Sequence, residues 1–146
     1  MIVDSTGTTV ATVDVKRDFP STAATTEWRL GAWSDETGWP GIATFHQQRL
    51  VAARSVDQPQ TMWFSQTADF ENHAPDSASS SEWEGTVEDD DAMNYTISSD
   101  DVEAVEWMTA GNKLQIGTRA AEWEVTSNGA VITPTAQSKL LAANFA

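Results

Sequence analysis

With 146 residues, a net charge of −14, 40% hydrophobic residues and no cysteine, the chain has the composition of one folded domain. A chain of this size buries roughly 68–70% of its unfolded surface. The missing cysteines exclude disulfides, thiolate metal sites and cysteine nucleophiles, and a pI near 4.2 argues against the basic footprint of a nucleic-acid binder.

Acidity of this degree reads first as a solubility feature, although an acidic surface can also lie beside DNA, because repulsion keeps a polyanion from adhering to it. No apolar run approaches the roughly 20 residues needed to span a bilayer. The opening Met1–Thr6 lacks a basic region followed by an apolar stretch, so no signal peptide is expected and synthesis in a cytoplasm is.

Taken in chain order, Thr8–Val15 sets Val10, Ala11, Val13 and Val15 among threonine and aspartate, which is strand chemistry. Phe19-Pro20 ends it, and Ser21–Thr26 is a polar link. Glu27–Ser34 places Trp28, Leu30 and Ala32 on one alternating face, and Ser34–Gly38 turns the chain. Three short strands follow, Ile42–His46, Arg49–Arg54 and Thr61–Ser65, joined by a Gln47-Gln48 turn and a longer Ser55–Gln60 turn. Arg49 and Arg54 bracket Leu50-Val51-Ala52-Ala53, which is expected to be buried on both faces.

A Ser-rich link over 75–84 separates sub-units 1–74 and 85–134 of a single β-rich domain, 1–146. Beyond the acidic cluster Glu88-Asp89-Asp90-Asp91, four strands are predicted as one antiparallel meander: Met93–Ser98, Glu103–Thr109, Lys113–Thr118 and Glu122–Thr126. Gly111-Asn112 reads as a two-residue hairpin turn. Val105 with Trp107, Leu114 with Ile116, and Trp123 with Val125 are each expected to share a face. Thr135–Ala146 is the one helical candidate, with Leu140, Leu141 and Phe145 near one side.

The predicted fold is therefore all-β: antiparallel meanders resembling propeller blades, with at most one short C-terminal helix. Arg49–Ala53 and Lys113–Gly117 form a weak internal repeat, spaced more widely than the roughly 40–50 residues of common blades. Two or three blades cannot close a ring of roughly four to eight. Open strand edges are thus expected to pair with other subunits, or the chain closes on itself as a sandwich.

The order of several short pieces carries a resemblance. Gly38-Trp39-Pro40, Gln48-Arg49-Leu50, Trp63-Phe64-Ser65 and Asp69-Phe70-Glu71-Asn72 follow one another as in the tail nozzle (tail tubular) proteins of short-tailed bacteriophages. The resemblance continues through Asp89–Ala92 and the Leu114–Val125 hairpin, so it covers most of the chain. That family's proteins are much longer, so the resemblance implies that this chain is similar to one portion of such a protein. The resemblance implies a virion structural protein of the tail, a nozzle or tube element of the DNA-ejection conduit, without chemistry of its own. It also implies a hexameric ring, contacts with adaptor and other tail proteins, and passage of viral DNA without specific binding. Trp39, Pro40, Arg49, Leu50, Trp63, Ser65, Asp69, Phe70 and Asn72 are the positions that carry it.

Several side chains bear on other readings. Seven tryptophans could stack on sugar rings, which suits a glycan- or receptor-binding β module, or they fill thin β cores and subunit contacts. Trp63, Trp107 and Trp123 are expected in the core, and Trp33 and Trp39 partly exposed. His46 and His73 lie in no metal-ligand spacing and are expected to be hydrogen-bonded or surface residues. No Gly-x-Ser-x-Gly elbow or phosphate-cradling loop is present, and chance pairing among 22 acids gives little support to a glycoside hydrolase fragment. No cofactor is implied. Asp89-Asp90-Asp91 departs from the EF-hand pattern and reads as a solvated loop, or, under the nozzle reading, as a loop facing the channel.

Overall fold

A computed structural model describes residues 2–5, 11–13, 31–76, 85–99, 102–127, 131–135 and 138–143. They form ten strands: β1 (Ile2–Ser5), β2 (Ala11–Val13), β3 (Ile42–His46), β4 (Arg49–Ala53), β5 (Thr61–Phe64), β6 (Met93–Thr96), β7 (Trp107–Ala110), β8 (Leu114–Gly117), β9 (Glu122–Ser127) and β10 (Ser138–Ala143). No helix occurs among the described residues. All pairings are antiparallel, in a β1-β2 ribbon and two four-stranded sheets ordered β3-β4-β5-β6 and β10-β9-β8-β7.

The first sheet starts from the Gln47-Gln48 turn. Both residues have positive φ, 49° and 60°, as a two-residue hairpin loop matched to strand twist demands. Registers then place Ile42 opposite Ala53, Val51 opposite Phe64, and Met62 opposite Tyr95. Because side chains alternate along a strand, Ile42, Val51, Ala53, Met62, Phe64, Met93 and Tyr95 share one face. The second sheet presents Met108, Leu114, Ile116, Trp123 and Val125 in the same way. The two faces meet in one core.

Three connecting residues complete that core. Ile97 N donates to Gln60 O at 3.1 Å, and Val105 N to Pro59 O at 3.0 Å. Ile132 N donates to Gln47 Oε1 at 2.8 Å. Each bond anchors an apolar side chain while satisfying a backbone donor that burial would otherwise strand. The edge strands β3 and β7 lie against each other, and Arg54 Nη1 reaches Glu106 Oε2 at 3.1 Å across that junction.

Several expectations need correction. Met93–Thr96 pairs with β5 in the first sheet rather than opening the second. The fourth strand of the second sheet is β10, so the C-terminal segment predicted as helical is extended over 138–143. A short run such as Leu140-Leu141 fits either period, and an open edge of β9 decides it. The Gly111-Asn112 turn is a three-residue connection, since Ala110 pairs with Leu114. Glu103–Glu106 is not strand, and the expected shared face is not formed: Val105 is buried while Trp107 points outward. Of the Leu50–Ala53 run expected to be buried, Val51, Ala52 and Ala53 are buried and Leu50 is half-buried, and the bracketing Arg49 is itself 2% exposed. The predicted face of Trp28 and Leu30 lies outside the described residues.

Candidate functional site

Some of the residues quoted for the resemblance, Arg49, Leu50, Ser65, Asn72 and the acidic turn, meet in one structure, a clasp around the Arg49 guanidinium. Nη1 donates to Ser65 O at 2.6 Å and to Asp91 O at 2.7 Å, with Asp90 O at 3.3 Å. Nη2 donates to Asp89 O at 2.6 Å. The planar fork of an arginine suits several carbonyls at once, which a lysine ammonium on a flexible stem does not. Burial lowers the Arg49 pKa, and the nearby Asp90, Asp91 and Asp89 charges oppose that shift. Carbonyl oxygens thus solvate a cation withdrawn from water.

Around it runs a continuous polar network. Ser65, fully buried, accepts from Leu50 N through its hydroxyl at 3.0 Å and donates to Gln66 O at 2.9 Å. Gln66 Nε2 donates to Asp91 Oδ1 at 3.0 Å, and Asn72 Nδ2 donates to Gln66 Oε1 at 2.9 Å. Asp91 Oδ2 accepts from Glu88 N at 2.8 Å, which closes the acidic turn on itself. Thr67 N donates to Asp90 O and Ala92 N to Ala74 O, tying the turn to the segment after β5.

The acidic run is therefore divided. Asp91 is buried at 2% exposure and its carboxylate holds the turn, so it cannot face a channel. The expectation for Asp91 is corrected for that reason: adjacent residues of a turn point in different directions, and one of the three was captured by the clasp. Asp89 and Asp90 are exposed, and Asp89 also accepts from the Thr135 hydroxyl. Among the described residues no group of three or more His, Asp or Glu is placed to hold a metal ion.

The remaining motif residues lie outside the clasp. Trp63 is buried on the outer face of the first sheet, meeting Trp33 edge-on with ring centroids 5.5 Å apart; Trp33 in turn meets His73 at 4.9 Å. These three rings border a cleft of about 630 Å³ that Glu71, Met93 and Asn94 also line. Burial lowers the His73 pKa, against the opposing effects of a hydrogen bond from its ring to the Glu71 backbone carbonyl and of the Asp69 charge, and burial lowers that of His46. The Nε2 atoms of both histidines are buried with no hydrogen-bond partner among the described residues. His73, hydrogen-bonded to the Glu71 backbone, is the hydrogen-bonded residue expected, while His46 is buried and not at the surface.

Phe70 and Phe45 form a second edge-to-face pair, centroids 5.0 Å apart, and both are substantially exposed. Trp39, also exposed, donates its indole N–H to Asp35 Oδ1 at 3.0 Å. Pro40 is half-buried beside it, and Asp69 is exposed. Sequence reasoning missed Gln66, the link between Asn72 and Asp91. A glutamine in a polar loop carries no signal until its partners are known.

No protein-family model matches the chain, and no curated protein sequence matches it either.

Proposed function

We propose that the chain is a structural, non-catalytic element of a bacteriophage tail, part of the nozzle or tube wall through which DNA leaves the capsid. On this reading it acts in the virion after synthesis in the host cytoplasm. The convergence of Arg49, Ser65, Asn72 and the acidic turn on one clasp supports it: residues scattered in sequence carry one fixed piece of surface. A conduit wall needs such rigidity more than it needs a mobile cleft. The exposed Asp89 and Asp90, in a chain of net charge −14, would repel a passing polyanion. Exposed Phe45 and Phe70 offer the apolar contact that neighbouring copies or adaptor proteins would cover.

Light scattering coupled to size exclusion, with negative-stain imaging of the same fractions, tests the assembly. A closed ring, and detection of the chain in purified particles by mass spectrometry, are the expected results. A monomer at every concentration, absent from particles, would overturn the proposal. Retention of duplex DNA by the purified chain at physiological salt would also count against it.

A further inference from the structure

The outer face of the second sheet holds a tryptophan whose position no core requirement explains. Trp107 on β7 pairs with Gly117 on β8, and Gly117 pairs with Glu122 on β9. A methyl group built on Gly117 would fall 2.0 Å from Cε2 and 2.1 Å from Nε1 of Trp107. The indole therefore lies across the glycine, where any side chain would displace it. The residue remains 40% exposed, so one ring face rests on the sheet and the other meets solvent. Thr109, Gln115 and Glu122 project from the same face and are exposed, while Glu124 is tied to Lys113 Nζ at 2.5 Å.

We propose that Trp107, Gln115 and Glu122 form a binding subsite for a neutral pyranose sugar. Four features of the face select that ligand class. A flat, fixed indole offers a π surface to the apolar C–H face of a pyranose ring, a contact of the same kind as aromatic packing. The Gln115 amide both donates and accepts hydrogen bonds, and the Glu122 carboxylate accepts them, which matches ring hydroxyls. Seating the indole on a glycine orders it before binding, so little side-chain entropy remains to be lost. The acidic face and overall charge disfavour sialylated or sulfated sugars. The Trp33–Trp63–His73 cleft differs here, because its Trp33 Nε1 and His73 Nε2 atoms are buried away from any ligand. The proposal does not depend on the tail reading.

One stack on an open sheet face supports a dissociation constant on the order of 1 mM, so multivalent display is needed to detect it. The test is an array of immobilised neutral and anionic oligosaccharides probed with the full chain. The best neutral hit is then titrated while the indole N–H resonances are followed by NMR, Trp107 being assigned from the W107F variant. The expected results are binding to neutral glycans and a shift of the Trp107 resonance. Trp107→Ala should weaken binding at least about tenfold, the scale of one lost aromatic stack. Gly117→Ala should weaken it similarly by displacing the Trp107 ring while deleting no contacting side chain, and Glu122→Gln should do so less. Thermal melts of each variant show whether the fold is retained. Absence of any neutral hit, a preference for anionic sugars, or binding unchanged in folded W107A, W107F and G117A would each overturn the proposal.

Discussion

Replacing Arg49 by methionine isolates the clasp, because methionine keeps the stem and much of the volume but removes the donors. Two buried acceptors then lose the guanidinium, Ser65 O at 2.6 Å and Asp91 O at 2.7 Å. Each stranded acceptor costs about 1–3 kcal/mol. Asp90 O keeps its bond from Thr67 N, and Asp89 O, only part-buried, can turn to water, so neither adds much. Against these losses, the variant no longer desolvates a cation, which returns part of the cost. The balance is a destabilisation of about 2–4 kcal/mol, a large share of the roughly 5–15 kcal/mol that holds a typical domain together. At roughly 2–4 °C per kcal/mol for a domain of this size, the midpoint should fall by roughly 5–15 °C. Urea unfolding followed by tryptophan fluorescence and by circular dichroism would measure it. Arg49→Lys should fall between the two, since an ammonium satisfies fewer of the carbonyls. A methionine variant within about 0.5 kcal/mol of wild type would refute the claim that the clasp holds this end of the sheet.

Three further outcomes follow from the same reasoning. His46 and His73 both have pKa values lowered from 6.5 by burial, so the unfolded chain takes up their protons first. Stability contributed by the neutral rings is complete above pH 6.5 and is lost as pH falls through that value toward the folded pKa; H46Q and H73Q should each flatten the decline in urea midpoint between pH 7 and 5. Gln48 is exposed with φ of 60°, a conformation glycine adopts without strain, so Q48G should raise stability by up to about 1 kcal/mol in the same assay. Gly38 has φ of 83°, and an added Cβ would lie 2.8 Å from Val56 N. Gly38→Ala should therefore cost about 1–3 kcal/mol, read as a lower thermal midpoint.

The hairpin from Ile42 to Ala53 was legible because it depends on local chemistry: alternation, β-branched residues and a turn of two residues. Its bounds agree with the observed strands to within a residue. The partner of Met93–Thr96 was not legible, because the choice between β5 and β7 is made by contacts distant in sequence. Arg49 shows the same limit at the site. A basic residue beginning a strand reads as exposed, and only the folded acidic turn supplies the carbonyls that bury it. Trp107 and Trp123 carry similar patterns in sequence yet face opposite ways. Trp107 faces outward because the turn after β7 has three residues: a two-residue Gly111-Asn112 turn would set Trp107 opposite Ile116 on the core face, whereas the observed connection sets it opposite Gly117.

The exchange of strands across the Ser-rich link has a mechanical consequence. A chain cut between Asp76 and Gly85 would not part into two self-sufficient pieces, since the fourth strand of the first sheet would then belong to the other fragment. The β5–β6 ladder would act as a rivet, and the fragments would stay joined until that ladder melted.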